Sequence, residues 1–503
     1  MIRAGKLLMI NAKDNVAVAL ARIAAGEALT IGKYQLVARE DVESGHKIAL
    51  ENLAQGRDII KYGFPMGRAV VNISAGEHVH THNVKTNLKG LEQYRYTPVN
   101  KKGRAANPET ATQPREFAGY VRKDGQVGIR NEIWIINTVG CVNKTSENLA
   151  KEANVRLAGL TDGLFAYTHP YGCSQLGEDH RNTQKILAQL TKHPNAAGVL
   201  VLGLGCENNN IDEFKKVLGD YDRERVKFMV CQDVDDEMEH GVKLLGELAR
   251  YAQTFVRQPC DVSKLVVGLK CGGSDAFSGI TANPLVGEFS DMLIRRGGTG
   301  ILTEVPEMFG AEKRLMDRCV SREIFDKTVS LINGFKEYYL SHGQEVYENP
   351  SPGNKKGGIS TLEEKSLGCI EKGGTEPVVD VLQYGERVKT EGLNLLAGPG
   401  NDIVACTALT AAGAHVILFT TGRGTPLGAP VPTIKISTNR ELSQHKGNWI
   451  DFDAGRLLTG EDADHLKHEL FGFVVKVASG ELRTKNEENG YREIAIFKQG
   501  VTL

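Results

Sequence analysis

Short apolar segments that end in polar, glycine-containing loops recur through this chain of 503 residues and constrain its fold most strongly. Segments 133–139, 197–202 and 226–231 are rich in large apolar residues, as buried strands are, and helical patterns separate them. Further segments of this kind are 265–270, 300–303, 378–382, 393–397 and 415–420. Alternation of strands and helices predicts α/β units with largely parallel sheets, in which ligands bind at the carboxyl ends of the strands.

The length of the chain requires several domains, because single hydrophobic cores stop growing beyond about 250–300 residues. Residues 98–116 carry three prolines and almost no large apolar side chain, which predicts a linker. We therefore expect a multidomain α/β protein with a small β-rich domain over 1–97, this linker, a Rossmann-like α/β domain over 117–255 and a C-terminal α/β domain over 256–503. In the first domain, Asp14 and Asn15 precede an apolar run at 16–23, which predicts one short helix.

Composition and charge exclude several classes of protein. The net charge is −1 and no long run of Lys or Arg occurs, so we expect no nucleic-acid or membrane partner. No apolar run approaches the roughly 20 residues that span a bilayer, and the first residues lack the apolar core of a secretory signal. The nine cysteines are scattered and odd in number, as in a reducing compartment, so a cytoplasmic location is expected.

Three of the 13 histidines lie within five residues, at His78, His80 and His82. Side chains alternate between the two faces of a strand, so these imidazoles would share one face. Imidazole is a common ligand of divalent metals, and we take His78 and His80 as the first ligands of a metal site. The alternative is a polar strand edge with solvated histidines.

Four cysteines adjoin glycine in polar loops, unlike structural cysteines, which usually lie within apolar runs. They are Cys141, Cys173, Cys206 and Cys271. Thiolates bind iron and zinc, so these residues are candidate metal ligands, including ligands of an iron–sulfur cluster; the alternative is small side chains packed beneath a ligand loop. Segment 203–208 begins like a dinucleotide-binding loop but lacks its third glycine, which disfavours a nicotinamide oxidoreductase.

Several loops at predicted strand ends carry side chains suited to a small hydroxylated acid. Arg423 lies between two glycines, and its guanidinium can form a bidentate pair with a carboxylate. The other candidate substrate-binding residues are Lys61, Ser274, Asp275, Asn354 and Lys355. Each loop alone is more typical of a solvated turn, and it is the number of such loops that favours a site.

Ten motifs together resemble the altronate/galactarate dehydratase family. They are residues 14–17, 45–47, 60–63, 76–83, 128–131, 171–177, 203–208, 271–275, 349–355 and 421–426. The resemblance extends over nearly the whole chain, to residues 496–503. The histidines at 78, 80 and 82, together with residues 94–96, are similar to the altronate type rather than the galactarate type.

This resemblance implies a β-clip (SAF-like) N-terminal domain, two α/β domains, and dependence on Fe²⁺, with Mn²⁺ as a substitute. It also implies a hydro-lyase that converts D-altronate to 2-dehydro-3-deoxy-D-gluconate in hexuronate catabolism. In the corresponding mechanism His46 or Lys47 takes the C2 proton, while Lys355 and Arg423 hold the substrate. We expect a homo-oligomer. The alternatives are a galactarate or other sugar-acid dehydratase, or a non-catalytic sugar-acid binding protein with a structural zinc site.

Overall fold

The computed structural model of the chain describes residues 1–99 and 114–500. The predicted linker at 98–116 therefore lies mostly outside the described residues. Among those that are described, no helix combines the length and apolar character needed to cross a membrane.

The N-terminal domain is built from ten short strands around two small apolar cores. Five of them form an antiparallel sheet in the order β1-β2-β3-β6-β9, and β10-β8-β7 and β4-β5 form two smaller antiparallel sheets. The strands are β1 Ile2–Ala4, β2 Leu7–Met9, β3 Val16–Ala19, β4 Ala28–Ile31, β5 Tyr34–Val37, β6 Lys47–Ala49, β7 Asp58–Lys61, β8 Phe64–Ala69, β9 His78–Val79 and β10 Val84–Lys85.

The helix predicted at 16–23 is wrong, because Val16–Ala19 is strand β3. The two residues taken as helix caps have other partners. Asp14 accepts hydrogen bonds from the backbone N–H groups of Asn11 and Gly63, and so stabilises a turn. The side chain of Asn15 hydrogen-bonds to the backbone of strand β7, donating to Asp58 O and accepting from Ile60 N. Tertiary contacts therefore determine the structure of this segment, and the local signals that favoured a helix do not.

The second domain contains a parallel sheet in the order β14-β13-β15-β16, as predicted. Helices α1 and α4 cover one face of this sheet, and α2 and α3 cover the other. A small antiparallel sheet, β12-β11-β17, joins the two ends of the domain. The elements are β11 Glu116–Val121, β12 Val127–Gly128, β13 Glu132–Asn137, α1 Asn143–Arg156, β14 Leu164–Tyr167, α2 Gly177–Thr191, β15 Ala196–Gly203, α3 Ile211–Leu218, β16 Val226–Val230, α4 Glu237–Ala252 and β17 Arg257–Asp261.

The C-terminal domain contains a seven-stranded parallel sheet in the order β20-β21-β19-β18-β22-β23-β24. All five strands predicted here are present: Val378–Leu382 has the predicted bounds, and the ends of the other four shift by one residue. The elements are β18 Val266–Cys271, α5 Ala282–Ile294, β19 Thr299–Leu302, α6 Lys313–Met316, α7 Arg322–Ser341, α8 Pro352–Lys356, α9 Leu362–Cys369, β20 Val378–Leu382, β21 Gly392–Leu396, α10 Asp402–Ala411, β22 Val416–Thr421, β23 Thr433–Ser437, α11 Arg440–His445, β24 Phe452–Asp453, α12 Ala463–Ala478 and α13 Lys485–Glu488.

Buried ion pairs connect the two α/β domains. Arg130 lies at the start of β13 and pairs with Glu487 of α13, with Nε 2.7 Å from Oε1. Arg492 pairs with Glu132 of β13 at 2.9 Å. Charged side chains are rarely buried without such partners, so these pairs fix how the domains meet. The predicted fold class, a small β domain followed by two domains with parallel sheets, is confirmed.

Candidate active site

A cluster of histidines lies where the N-terminal domain meets the C-terminal domain. Strand β6 pairs antiparallel with β9, and Ile48 lies opposite His78. This register places His46, just before β6, across from His80, just after β9. The strand is shorter than the sequence predicted, because the chain turns at His80. The side chain of Asn83 fixes this turn, accepting from His80 N at 2.9 Å and donating to His78 O at 2.8 Å.

Three of these histidines are close enough to share one metal ion. The ligand nitrogens of His46, His78 and His80 all lie within 4.8 Å of one another. The closest pair is His46 Nδ1 and His78 Nε2, at 2.9 Å. His82 is exposed and not part of this set, although its ring centroid is 5.4 Å from that of His78. The structure thus brings the predicted ligands His78 and His80 together and adds His46, which the sequence had suggested as a base.

The hydrogen bonds of this cluster fix the tautomer of His46. Its Nε2 lies 3.3 Å from the carbonyl oxygen of Lys356, which can only accept, so Nε2 carries the proton. The Nδ1 of His46 is therefore unprotonated, and its lone pair faces His78 Nε2. His80 Nδ1 lies 2.9 Å from Ser360 Oγ, which orients that ring from the C-terminal domain. Such outer partners orient metal-ligating histidines.

The electrostatics of the cluster keep its imidazoles neutral. Burial lowers the pKa of His46. Burial, assisted by the neighbouring His46, lowers the pKa of His78 to about 3. Burial and the nearby Lys47 lower the pKa of His80 to about 4. Neutral imidazole is the form that coordinates metals, so these side chains fit a divalent ion with three nitrogen ligands and further positions open to substrate.

Two buried lysines of the N-terminal domain share one carboxylate of the C-terminal domain. Lys47 Nζ lies 3.0 Å from Glu364 Oε2, and Lys61 Nζ lies 2.7 Å from Glu364 Oε1. Burial alone would raise the pKa of Glu364, but the two ammonium groups lower it to about 2. Burial lowers the pKa of Lys47 to about 8. At Lys61 burial also acts to lower the pKa, but the attraction of Glu364 is stronger, so the pKa of Lys61 is raised. Lys47 can therefore exchange a proton near neutral pH, while Lys61 stays charged and holds Glu364.

A cavity of about 530 Å³ lies between the N-terminal and C-terminal domains; it is lined by Ser44 and Lys356 among others, but not by His46, His78 or His80. Its wall includes the exposed cations Lys356 and Arg423, and the carbonyl of Lys356 is the group that accepts from His46. Lys355, which the sequence predicted as a substrate ligand, is exposed but is not among the residues that line this cavity. The volume suits a small-molecule ligand.

Three other predicted substrate ligands, Ser274, Asp275 and Asn354, are buried, and of these only Asp275 lines the cavity. Asp275 lines the cavity and accepts from Thr438, Ser278 and Asn439 at 2.9–3.1 Å, so it ties the ends of β18 and β23 together. Burial raises its pKa. Asn354 caps α8 and donates to the carbonyl of Ser274 at 2.7 Å. These bonds give Asp275 and Asn354 a positioning role, and direct contact of Ser274, Asp275 and Asn354 with a substrate stays a prediction.

Cys271 lies apart from the other three predicted cysteines, in the buried interior of the C-terminal domain. Its Sγ is 3.4 Å from Cys369 Sγ, and Glu307 Oε2 lies 3.2 and 3.1 Å from these two sulfurs. Lys372 Nζ lies 2.7 Å from Cys271 Sγ. Cys141, Cys173 and Cys206 are exposed in the second domain.

Sequence reasoning missed several residues of these sites. They are Glu307, Lys356, Ser360, Glu364 and Cys369. Cys369 follows a glycine, Gly368, but both lie at the end of helix α9, and Glu364 lies within that helix, so none of them is in a loop at a strand end. His46 was named, but its place beside His78 depends on strand pairing over 30 intervening residues, which local patterns do not encode.

Family models match three consecutive parts of the chain. The model described as the altronate/galactarate dehydratase SAF domain matches residues 5–87. The second domain of D-galactarate dehydratase/altronate hydrolase matches residues 119–253. The C-terminal domain of D-galactarate/altronate dehydratase matches residues 262–502. The predicted SAF-like character of the first domain is confirmed.

Curated relatives are similar over the full length. The altronate dehydratase of Escherichia coli (strain K12) is 53% identical over 99% of both chains. The altronate dehydratase of Bacillus subtilis (strain 168) is 51% identical, also over 99% of both chains. The galactarate dehydratase (L-threo-forming) of E. coli is 33% identical over 91% of this chain and 90% of its own.

Proposed function

The chain belongs to the altronate/galactarate dehydratase family, and on this premise we propose that it is a hydro-lyase that removes water from D-altronate. The observation that carries the proposal is the identity of 53% and 51% to two altronate dehydratases over 99% of the chain, against 33% to a galactarate dehydratase. The substrate loses its C2 proton and its C3 hydroxyl group. The resulting enol rearranges to the 2-keto acid 2-dehydro-3-deoxy-D-gluconate, so one water is released for each product.

The metal of this reaction is proposed to be Fe²⁺, with Mn²⁺ as a substitute, at His46, His78 and His80. Support comes from three neutral imidazoles whose nitrogens lie within 4.8 Å of one another, and from the contact of His46 with Lys356, which lines the cavity. A bound divalent ion would act as a Lewis acid toward the substrate carboxylate and an adjacent hydroxyl. The chain's own contribution is to hold the rings in place, through the Lys356 carbonyl and the Ser360 hydroxyl.

Lys47 is the proposed base for the C2 proton. With His46 assigned to the histidine set, Lys47 is the neighbouring group whose pKa, lowered to about 8 by burial, permits proton exchange near neutral pH. Its Nζ is fixed by the carbonyl of Gly358 at 2.6 Å and by Glu364. Glu364 can stabilise the proton once Lys47 has taken it up, because its own pKa is low.

Arg423 and Lys356 are proposed to bind the carboxylate and hydroxyl groups of the substrate. Both are exposed cations on the wall of the same cavity, and a guanidinium can bind a carboxylate through two parallel hydrogen bonds. The cavity and the histidine cluster share the segment around Lys356. The acid end of the substrate would thus lie at Arg423, with its reacting carbons toward the histidines and Lys47.

The cellular setting of the enzyme is proposed from its cysteines and its kind of substrate. All nine cysteines are free thiols, as expected of a cytoplasmic protein. We place it in the cytoplasm as a homo-oligomer. Cell fractionation tests the first point, and light scattering of the purified protein tests the second.

The activity is tested by measuring 2-keto acid release from altronate, galactarate and mannonate under anaerobic conditions, with and without added Fe²⁺. We expect iron-dependent release that is fastest from altronate. Preference for galactarate would reassign the substrate within the family. A thermal shift with altronate but no keto acid would favour a non-catalytic binding protein.

A further inference from the structure

The second domain carries three exposed cysteines at one edge of its parallel sheet. Consecutive strands lie on opposite sides of β13, since β14 flanks one side and β15 the other. In open α/β sheets, ligands bind at such a switch point, outside the carboxyl ends of the strands. Cys141 follows β13 and Cys206 follows β15, so the two residues flank this crevice.

The loop that carries Cys173 lies across the end of β13 and contacts both neighbouring loops. Tyr171 O accepts from Gly140 N at 2.8 Å, and Gly172 O accepts from Asn209 N at 3.0 Å. Gly172 has φ +98°, and a Cβ there would lie 1.9 Å from Thr138 O, so the loop packs directly on the strand end. These bonds place Cys173 between the loops of Cys141 and Cys206.

Exposure separates these three residues from the other six cysteines. Cys141, Cys173 and Cys206 are exposed, whereas the remaining cysteines are buried or, for Cys231, half-buried. Free cysteine is among the most buried residue types, so three exposed thiols at one sheet edge need an explanation other than packing. Metal binding is the chemistry that would use them together.

The surroundings of the thiols favour an anionic ligand set. Helix α1 begins at Asn143, two residues after Cys141, and α2 begins at Gly177, four residues after Cys173. Neither helix has a side chain that caps its N-terminus, and the positive ends of both dipoles lie next to the cysteine loops. In addition, Gln175 is 2% exposed and its Nε2 donor has no partner among the described residues.

The three sulfurs do not have the spacing of ligands on one metal ion. Two sulfur ligands of one zinc ion lie at most about 4.6 Å apart, because each Zn–S bond is about 2.3 Å. Within the part of the chain that the structure describes, three sets of side chains have all ligand atoms within 4.8 Å, and these cysteines are not one of them. A group that all three sulfurs bind would therefore have to be larger than a single ion.

We propose that Cys141, Cys173 and Cys206 bind an iron–sulfur cluster, at a site separate from the histidines. Cysteine thiolates are the usual ligands of such clusters, and three of them leave one iron without a protein ligand. Cys231, which follows β16, is left out because it is half-buried, and burial raises its pKa to about 11. The proposal does not depend on the assigned substrate.

The test is the iron and acid-labile sulfide content of the full-length enzyme, purified anaerobically and reconstituted with Fe²⁺ and sulfide. The visible absorption of the cluster gives a second readout. The variants are Cys141→Ser, Cys173→Ser and Cys206→Ser. Cys260→Ser is the matched control, since Cys260 lies in the neighbouring strand β17 and its Sγ donates to Gln258 O at 3.4 Å. His78→Ala is a second control, which removes the histidine site alone.

We expect labile sulfide and cluster absorption in the unmodified enzyme, in Cys260→Ser and in His78→Ala, and their loss in each of the three cysteine variants. Absence of labile sulfide from the unmodified enzyme would overturn the proposal, as would zinc without sulfide. Retention of the cluster in any one of the three variants would remove that residue from the site and would contradict the three-cysteine assignment. Circular dichroism of the variants separates cluster loss from unfolding.

Discussion

Lys61 of the N-terminal domain and Glu364 of the C-terminal domain form an ion pair at 2.7 Å in which each side chain is only 1% exposed. Glu364 also pairs with Lys47, which immediately follows His46 in the chain. The carboxylate therefore neutralises two buried ammonium groups and fixes the strand that carries the histidines. Domain docking and site geometry depend on the same residue.

Replacement of Glu364 by Ala should destabilise the protein by about 3–5 kcal/mol, because it leaves two lysines buried without a counter-charge. The expected result is a lower urea midpoint, measured by fluorescence or circular dichroism, together with loss of keto-acid release. Glu51→Gln is the matched control. Glu51 forms a partly exposed pair with Arg57 at 2.9 Å, and such pairs contribute about 0–1 kcal/mol. Equal stability of the two variants would contradict the role assigned to Glu364.

Removal of one imidazole from the histidine set should release the metal. His80→Ala is expected to lose bound iron and keto-acid release, whereas His82→Ala keeps both, because His82 lies outside the three-nitrogen set. Iron per chain, measured by elemental analysis after anaerobic loading of the Cys141→Ser background, isolates the histidine site from any iron at the cysteines. Equal loss of iron from His80→Ala and His82→Ala would show that the assignment of the three metal ligands is wrong.

Loss of the cavity guanidinium should weaken substrate binding. We expect Arg423→Ala to raise the KM for altronate about tenfold or more, because hydrogen bonds to charged groups contribute about 1.5–3 kcal/mol. Arg423→Lys should raise KM less than Arg423→Ala does, since lysine keeps the positive charge but cannot form the bidentate pair. Lys355 is an exposed cation of helix α8 that does not line the cavity, so Lys355→Ala should leave KM nearly unchanged. A larger effect at Lys355 than at Arg423 would place the substrate elsewhere.

The ion pair between Arg130 and Glu487 should make stability depend on acid pH. Burial alone would raise the pKa of Glu487, but Arg130 lowers it from 4.5 to about 2. The folded form therefore binds this proton less tightly than the unfolded form. The resulting stabilisation, about 3 kcal/mol, is fully present above pH 4.5 and is lost as the pH falls toward 2.

The measurement is the urea midpoint of the unmodified protein and of Glu487→Gln between pH 7 and pH 3. The difference between them should be largest at neutral pH and should shrink as the pH falls below about 4.5. Asp464→Asn serves as a control, because the Asp464 carboxylate is 55% exposed and pairs with Lys467. A constant difference across this range would mean that the charge of Glu487 does not stabilise the fold.

Much of the fold could be predicted from the sequence because buried parallel strands have a strong local signature. Segments such as 197–202 and 378–382 are apolar on both faces, and each is found within or coincident with a strand. The strand at Val16–Ala19 was taken for a helix, since its neighbours Asp14 and Asn15 are good caps, and their tertiary partners in segment 58–63 lie more than 40 residues away. Strand β23 was missed because it carries the polar residues Thr433, Lys435 and Ser437, all of which are buried.

Site residues could be predicted from the sequence only where the residues that act together are also close together in the chain. His78 and His80 lie two residues apart, so a strand pattern sufficed to find them. Glu364 and Ser360 contribute through contacts with residues about 280–317 positions away, and no local pattern reports such contacts. The four cysteines were chosen by one rule, a neighbouring glycine, but Cys271 lies in a buried cluster with Cys369 and the other three do not. A neighbouring glycine thus indicates that a cysteine lies in a loop, but it does not indicate which side chains that cysteine contacts.

We propose that three imidazoles of the N-terminal domain hold the divalent metal with which the enzyme dehydrates altronate. The decisive measurement is an anaerobic titration of metal-free enzyme with Fe²⁺, in which 2-keto acid release is followed in the unmodified protein, His82→Ala and His80→Ala. We expect activity to return in the first two proteins and to stay absent in His80→Ala. Full activity of the metal-free enzyme, or equal recovery in His80→Ala, would contradict it.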